Sequence, residues 1–316
     1  MSKLACIFPG QGSQTVGMGK DLAEKFPEAK KLFAEIDEIA GRSLSQLCFE
    51  GPDTELKRTV NTQPTILAVS MVAWRCYELQ GGPKPAYVAG HSLGEFSALY
   101  AAGAFDMQAA VKLVDKRSQL MEACPKGAMS AVIGMAADKL EAICKEVSDT
   151  LGAPKVVIVA NFNTKEQLVV SGDPEAVAEA GARAKAGGAK VIPLPVGGAF
   201  HSPLMKSAAD EFEALVKTID VKDAVSPVVQ NVDAKPETKG DALKEKLSRQ
   251  MPSSVRWCET IEYMISQGVD TFVEIGPGKA LSGMVKKIDR AANVFNISDA
   301  QTLDETLAAL KQTAGV

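Results

Sequence analysis

The pentapeptide Gly90-His91-Ser92-Leu93-Gly94 narrows the folds open to this chain more than any other stretch. A short apolar run over residues 86–89 precedes it, and a helical pattern over residues 95–102, ended by Gly103, follows it. A serine framed by glycines between a strand and a helix is the pattern of a nucleophile elbow. The glycines leave room for a tight bend, and the following helix turns its first backbone N–H groups toward charge developing on the serine. The competing reading is a tight turn in a Gly- and Ala-rich region.

The surrounding pattern places this turn in an α/β fold. Residues 4–8 read as a buried strand, followed by a glycine-rich loop over residues 10–14. Helical periodicity runs through residues 22–40 and 63–79, with Pro64 suited to a first helical turn. From about residue 127 the order becomes strand 129–133, helix 137–147, strand 156–162, turn 163–166, strand 167–171, helix 174–186 and strand 190–196. That β-α-β-β-α-β order is the signature of a ferredoxin-like unit. We therefore expect a small ferredoxin-like domain at residues 127–198, inserted into a larger α/β domain made of residues 1–126 and 199–316. Strands at 227–230 and 271–275 are expected to rejoin the first sheet.

With 46% hydrophobic and 23% charged residues the composition is that of a globular chain, not a disordered one. A net charge of −4 gives no reason to expect nucleic acid or a membrane surface as partner. The first ten residues stop at Pro9-Gly10, too early for a signal-peptide core, and no apolar run is long enough for a membrane span. Six scattered cysteines without a C-x-x-C pair, and only two histidines, point away from disulfides and from a metal centre and toward free thiols in the cytoplasm.

A serine nucleophile needs a base. His91 adjoins Ser92, and neighbouring side chains at an apex diverge, which leaves His201. Ser202 can cap a helix starting at Pro203, and an imidazole just before a helix start is held neutral, as a general base must be. A purely structural histidine is the alternative. No acidic third member of a triad stands out near His201. An oxyanion hole would use the N–H of Leu93 and a second one from the loop over residues 10–14. That loop could also cradle a phosphate, although it lacks the lysine of a P-loop and the full G-x-G-x-x-G register. On the helix 107–121, Arg117 falls on the inner flank, either snorkelling from the core edge or pairing with a carboxylate.

Five ordered blocks, "FPGQGSQ", "GHSLGE", "DKRSQLM", "GAFHSPLM" and "EIGPGKAL", spread over nearly the whole chain. Together they resemble the malonyl-CoA:acyl carrier protein transacylases and the acyltransferase domains of fatty-acid and polyketide synthases. The resemblance implies an α/β-hydrolase-like large domain beside the ferredoxin-like one, and a Ser92–His201 dyad. It implies that the backbone carbonyl of Gln250 orients the imidazole in place of an acid, and that Gln11 and Leu93 supply the oxyanion donors. Gln250 lies near the end of a helical stretch over residues 241–251, where carbonyls are free to accept. By the same resemblance Arg117 binds the malonyl carboxylate and Phe200 selects malonyl over bulkier acyl groups. The substrates implied are malonyl-CoA and the phosphopantetheine of an acidic acyl carrier protein, with no metal or bound cofactor, in fatty-acid biosynthesis. Lys185, Lys190, Lys286 and Lys287 are candidates for a basic docking patch, or are ordinary solvated surface. A serine thioesterase or carboxylesterase is the rival reading of the same elbow.

Overall fold

The computed structural model describes residues 3–314. Among these, ten strands form two sheets: β1 (Leu4–Phe8), β2 (Tyr87–Gly90), β3 (Ala128–Ile133), β4 (Val157–Thr164), β5 (Gln167–Gly172), β6 (Lys190–Pro193), β7 (Val228–Val229), β8 (Pro236–Glu237), β9 (Thr271–Ile275) and β10 (Asn293–Ile297). The larger sheet has the order β10-β9-β1-β2-β7-β8. It is parallel except at its edge, where β8 runs antiparallel to β7.

β1 sits in the middle of that sheet because every one of its residues is apolar and can be buried on either face. Cys6, Phe8, Val88 and Val273 point into one core, packed by the helices Thr59–Leu79 and Met107–Glu122. Ala5, Ile7, Ala89 and Phe272 alternate with them and meet Trp257, Ile261 and Leu281 on the other side. The carboxyl ends of β1, β2, β7 and β9 therefore open at one edge, where an open α/β sheet holds its ligands. The chain segments leaving that edge carry Gln11, Ser92, Asn231 and Ala280.

The smaller sheet is antiparallel, in the order β4-β5-β3-β6. Val132, Leu168 and Val170 on one face pack under the helices Ala137–Leu151 and Pro174–Ala186. Met129, Ala131 and Val169 on the other face join the core of the larger sheet. The chain passes from one sheet to the other and back by two adjacent crossings. These pair with each other through a bridge of Lys126 with Gly198, and Gly127 N–H donates to the Gly197 carbonyl at 2.9 Å.

Several boundaries differ from the sequence reading. The helical run over residues 22–40 is two helices, Lys20–Lys25 and Pro27–Ala40, because Phe26 before Pro27 is extended. Pro64 is not in a first turn: the helix begins at Thr59. The Val60 carbonyl that Pro64 cannot pair accepts instead from Arg42 Nη2 at 2.9 Å and Ser118 Oγ at 3.3 Å. β4 continues through Thr164, whose Oγ1 accepts from the Gln167 N–H at 3.0 Å, so the turn expected over residues 163–166 shrinks to Lys165-Glu166. β6 stops at Pro193, and the helix expected over 241–251 is Gly240–Ser248, which leaves Gln250 in the turn beyond it. β10 was not legible as a strand.

Candidate active site

Ser92 occupies the left-handed region with φ 50°, a strained position for a residue with a Cβ. The flanking glycines are required by close approach. A Cβ on Gly90 would collide with the backbone of Gly94 and Glu95, and one on Gly94 with the Phe8 carbonyl. The helix Gly94–Ala101 can thus rest directly on the end of β1. Side chains hold the Ser92 backbone from both sides. Asn231 Oδ1 accepts from the Ser92 N–H at 2.7 Å, and Gln250 Nε2 donates to the Ser92 carbonyl at 2.9 Å.

His201 Nε2 lies 2.7 Å from Ser92 Oγ. Its Nδ1 faces two backbone carbonyls, Ser253 at 3.0 Å and Gln250 at 3.3 Å. Two acceptors at Nδ1 keep the proton there and leave Nε2 free to accept from the serine. Ser253 is thus the nearer of the two carbonyls, and no side-chain pattern could have announced it. The imidazole is 3% exposed. Burial first, then the charge of Arg117 and the neighbouring His91, push its pKa down to about 3. Ser202 Oγ caps the 3₁₀ turn Pro203–Met205 by accepting from the Leu204 N–H at 3.3 Å, and that turn runs directly into the helix Lys206–Thr218, so His201 does stand just before a helical start. His91 turns away from Ser92, with Nε2 2.8 Å from Asn163 Oδ1 and its ring edge-on to Trp257. Burial lowers its pKa too.

Arg117 does not snorkel, and no carboxylate among the described residues pairs with it. It is 1% exposed and reaches the centre of the site. Nη1 donates to Gln63 Oε1 at 2.6 Å, while Nη2 reaches Gln250 Oε1 and Ser92 Oγ, both at 3.0 Å. Its Nε has no partner among the described residues, and the guanidinium carbon stands 5.5 Å from the Phe96 ring centre. Burial lowers its pKa to about 10. The nearest balancing charge is Glu95, below the elbow, where burial raises the carboxyl to about 7 against hydrogen bonds from the Asn231 N–H and Gln230 Nε2. Gln63, Asn231 and Gln230 have no sequence signal, since isolated amides occur everywhere.

A cavity of about 320 Å³ opens over Ser92 and His201. Gln11 and Phe200 line it from the larger unit, and Met129, Asn161 and Val169 from the smaller sheet. The Gln11 loop lies beside the elbow, because the His91 N–H donates to the Phe8 carbonyl at 3.1 Å. Neither the Gln11 nor the Leu93 backbone N–H meets an acceptor among the described residues. Among those residues, no group of three or more His, Cys, Asp or Glu side chains is placed to hold a metal ion. No described helix is long and apolar enough to cross a membrane.

The structure divides the four lysines. Lys287 Nζ reaches Gln167 Oε1 at 3.3 Å, and Lys190 lies on the same sheet rim, since Ile133 pairs with both Gln167 and Lys190. Lys286 bends back to the Ala292 carbonyl at 2.6 Å. Lys185 belongs to the helix on the far face of the smaller sheet, away from the cavity.

Residues 5–304 match the family described as the acyl transferase domain. The chain belongs to that family. It is 46% identical to the malonyl CoA-acyl carrier protein transacylase of Bacillus subtilis, over 99% of this chain and 98% of that one. Among solved structures, an acyl carrier protein S-malonyltransferase from Vibrio cholerae superposes with a TM-score of 0.93 at 42% identity, covering 96% of this chain and all of the other. The malonyl-transacylase of the PlMCAT:AntF complex, solved with its type II polyketide acyl-carrier protein, gives the same TM-score and identity over 98% of this chain and all of the other. The two sheets of this acyltransferase are accordingly the hydrolase-like and ferredoxin-like layers expected from its sequence.

Proposed function

We propose that this acyltransferase moves a malonyl group from coenzyme A to the pantetheine thiol of an acyl carrier protein, through a malonyl ester on Ser92. The observation that carries this reading is the position of Ser92 Oγ, 2.7 Å from the base nitrogen of His201 and 3.0 Å from a buried guanidinium. His201 takes the serine proton as Oγ attacks the thioester carbonyl, and the oxyanion is received by the N–H groups of Gln11 and Leu93. Collapse breaks the C–S bond, and His201 returns the proton to the departing thiolate. In the second half, His201 deprotonates the pantetheine thiol, whose sulfur attacks the ester, and Ser92 leaves with the proton. The carbonyls of Ser253 and Gln250 hold the imidazole in the tautomer both halves need.

Arg117 reads the malonyl carboxylate. Its present partners there are the neutral amide oxygens of Gln63 and Gln250, which a carboxylate outcompetes as an acceptor. A buried guanidinium beside the nucleophile has no use in a thioesterase or carboxylesterase acting on neutral chains. Phe200 walls the cavity where the acyl group sits. We read residues 127–198 as an inserted domain and the cytoplasm as the site of the reaction.

Intact-protein mass spectrometry after incubation with malonyl-CoA should show one added malonyl group, located on Ser92. The addition should vanish when holo acyl carrier protein is supplied. A wild-type protein that gains no mass overturns the proposal, and one whose ester is lost equally fast to water favours the hydrolase.

A further inference from the structure

Asn231 is buried beneath the elbow, 1% exposed, and all four of its hydrogen-bonding groups are committed. Its Oδ1 accepts from the Ser92 N–H and its Nδ2 donates to the Gly90 carbonyl, both at 2.7 Å. Its own N–H donates to Glu95 Oε2 at 2.7 Å, and its carbonyl accepts from the Arg256 N–H at 3.0 Å. One side chain thus clasps the residue before the bend and the residue at its apex. The buried Glu95 carboxylate, itself held by Gln230, fixes the clasp from the helix side. Ser92 cannot rest at φ 50° without such support, because a left-handed non-glycine residue persists only where its surroundings over-determine it.

We propose that Asn231 is a positioning residue for acyl transfer: its amide locks the strained backbone of Ser92, so that Oγ stays aligned with His201 while the Leu93 N–H faces the oxyanion. The role depends on both ends of the amide, one accepting and one donating, and on no contact with the substrate. Loss of it therefore slows attack without weakening the binding of malonyl-CoA. The inference rests on the reading of Ser92 as the nucleophile.

The decisive variant is Asn231→Asp. Its carboxylate can accept from the Ser92 N–H but repels the Gly90 carbonyl; once protonated, it accepts and donates as the amide does. The ionisable groups around it are Glu95 from the helix below and Arg117, His91 and His201 around the elbow, all shared with the wild type, so each rate is taken as a ratio to wild type at the same pH. Rapid-quench measurement of Ser92 acylation should show about a 10²-fold deficit at pH 8, by analogy with the cost of a misplaced reacting atom. That deficit should shrink to within about 10-fold at pH 5.5, with the KM for malonyl-CoA within about 3-fold of wild type throughout. Asn231→Ala should show the same deficit at every pH, and circular dichroism confirms which preparations are folded. If Asn231→Ala does not fold, the pH ratio of Asn231→Asp alone decides. A ratio near unity at pH 8, a deficit that does not change with pH, or a change carried by KM overturns the role of Asn231. Failure of the wild type itself to acylate would instead overturn the reading of Ser92.

Discussion

The guanidinium of Arg117 lies 3.0 Å from Ser92 Oγ, the proposed nucleophile, so its removal tests carboxylate recognition and nucleophile placement together. Arg117→Ala should lower kcat/KM for malonyl-CoA by about 10²-fold and for acetyl-CoA by much less, because only the malonyl group loses a charged partner. Equal losses for the two thioesters would remove Arg117 as the carboxylate reader. His201 gives a second prediction through its depressed pKa of about 3. Folded protein binds fewer protons than unfolded protein between about 3 and the free value near 6.5, so the contribution of neutral His201 is complete above pH 6.5 and is lost as pH falls. The unfolding free energy of wild type relative to His201→Gln should drop by about 1 kcal/mol per pH unit below pH 6. Glu95, raised to about 7, works in the opposite sense, contributing below its free value and losing that contribution as pH rises through 7, and it cancels in the comparison. Ser92 and His201 were legible because one sits in a pattern and the other is one of only two imidazoles. Of the groups that hold them, the Gln250 carbonyl was legible through the family resemblance alone, and the Ser253 carbonyl and the Asn231 amide not at all, because such groups acquire a role only from where the fold puts them.

The helices and strands record a similar division. The bounds of β1 and β9 match the sequence reading, since β1 is a short apolar run ended by Pro9 and β9, though it carries Glu274, is ended by Gly276. Pro64 signals a first turn in the sequence, yet the helix Thr59–Leu79 starts earlier because the fold brings Arg42 to the carbonyl that the proline leaves bare. Arg42 also binds Asn61 Oδ1 and Asp115 Oδ1, both at 2.7 Å. Arg42→Ala should therefore destabilise the protein by about 1–3 kcal/mol, measured by urea denaturation, with acylation of the folded fraction unchanged. The elbow is less forgiving. Gly94→Ala drives a methyl group into the backbone of β1 and should cost about 3 kcal/mol or abolish folding, as overpacking against backbone does at its upper range.

At the scale of the whole molecule, charge placement separates lysines that the sequence could only list together. Lys287 stands one helical turn beyond Met284, which lines the cavity, while Lys185 lies on the opposite face of the smaller sheet. Lys287→Glu should raise the KM for holo acyl carrier protein about 5-fold at low salt, with the effect fading as salt is added, and leave the KM for malonyl-CoA unchanged. Lys185→Glu should change neither. The paired crossings at Lys126 and Gly198 have a further consequence. The points where the chain enters and leaves the smaller sheet lie side by side, so on the proposed reading of residues 127–198 as an insert, a graft from a relative would replace one segment between two adjacent points. It would bring its own versions of Met129, Asn161 and Val169, whereas Ser92, Arg117 and Gln250 would stay with the host. The demand for a carboxylate would then stay with the host, while the wall around the acyl chain would be shared, Phe200 coming from the host and the three facing residues from the graft.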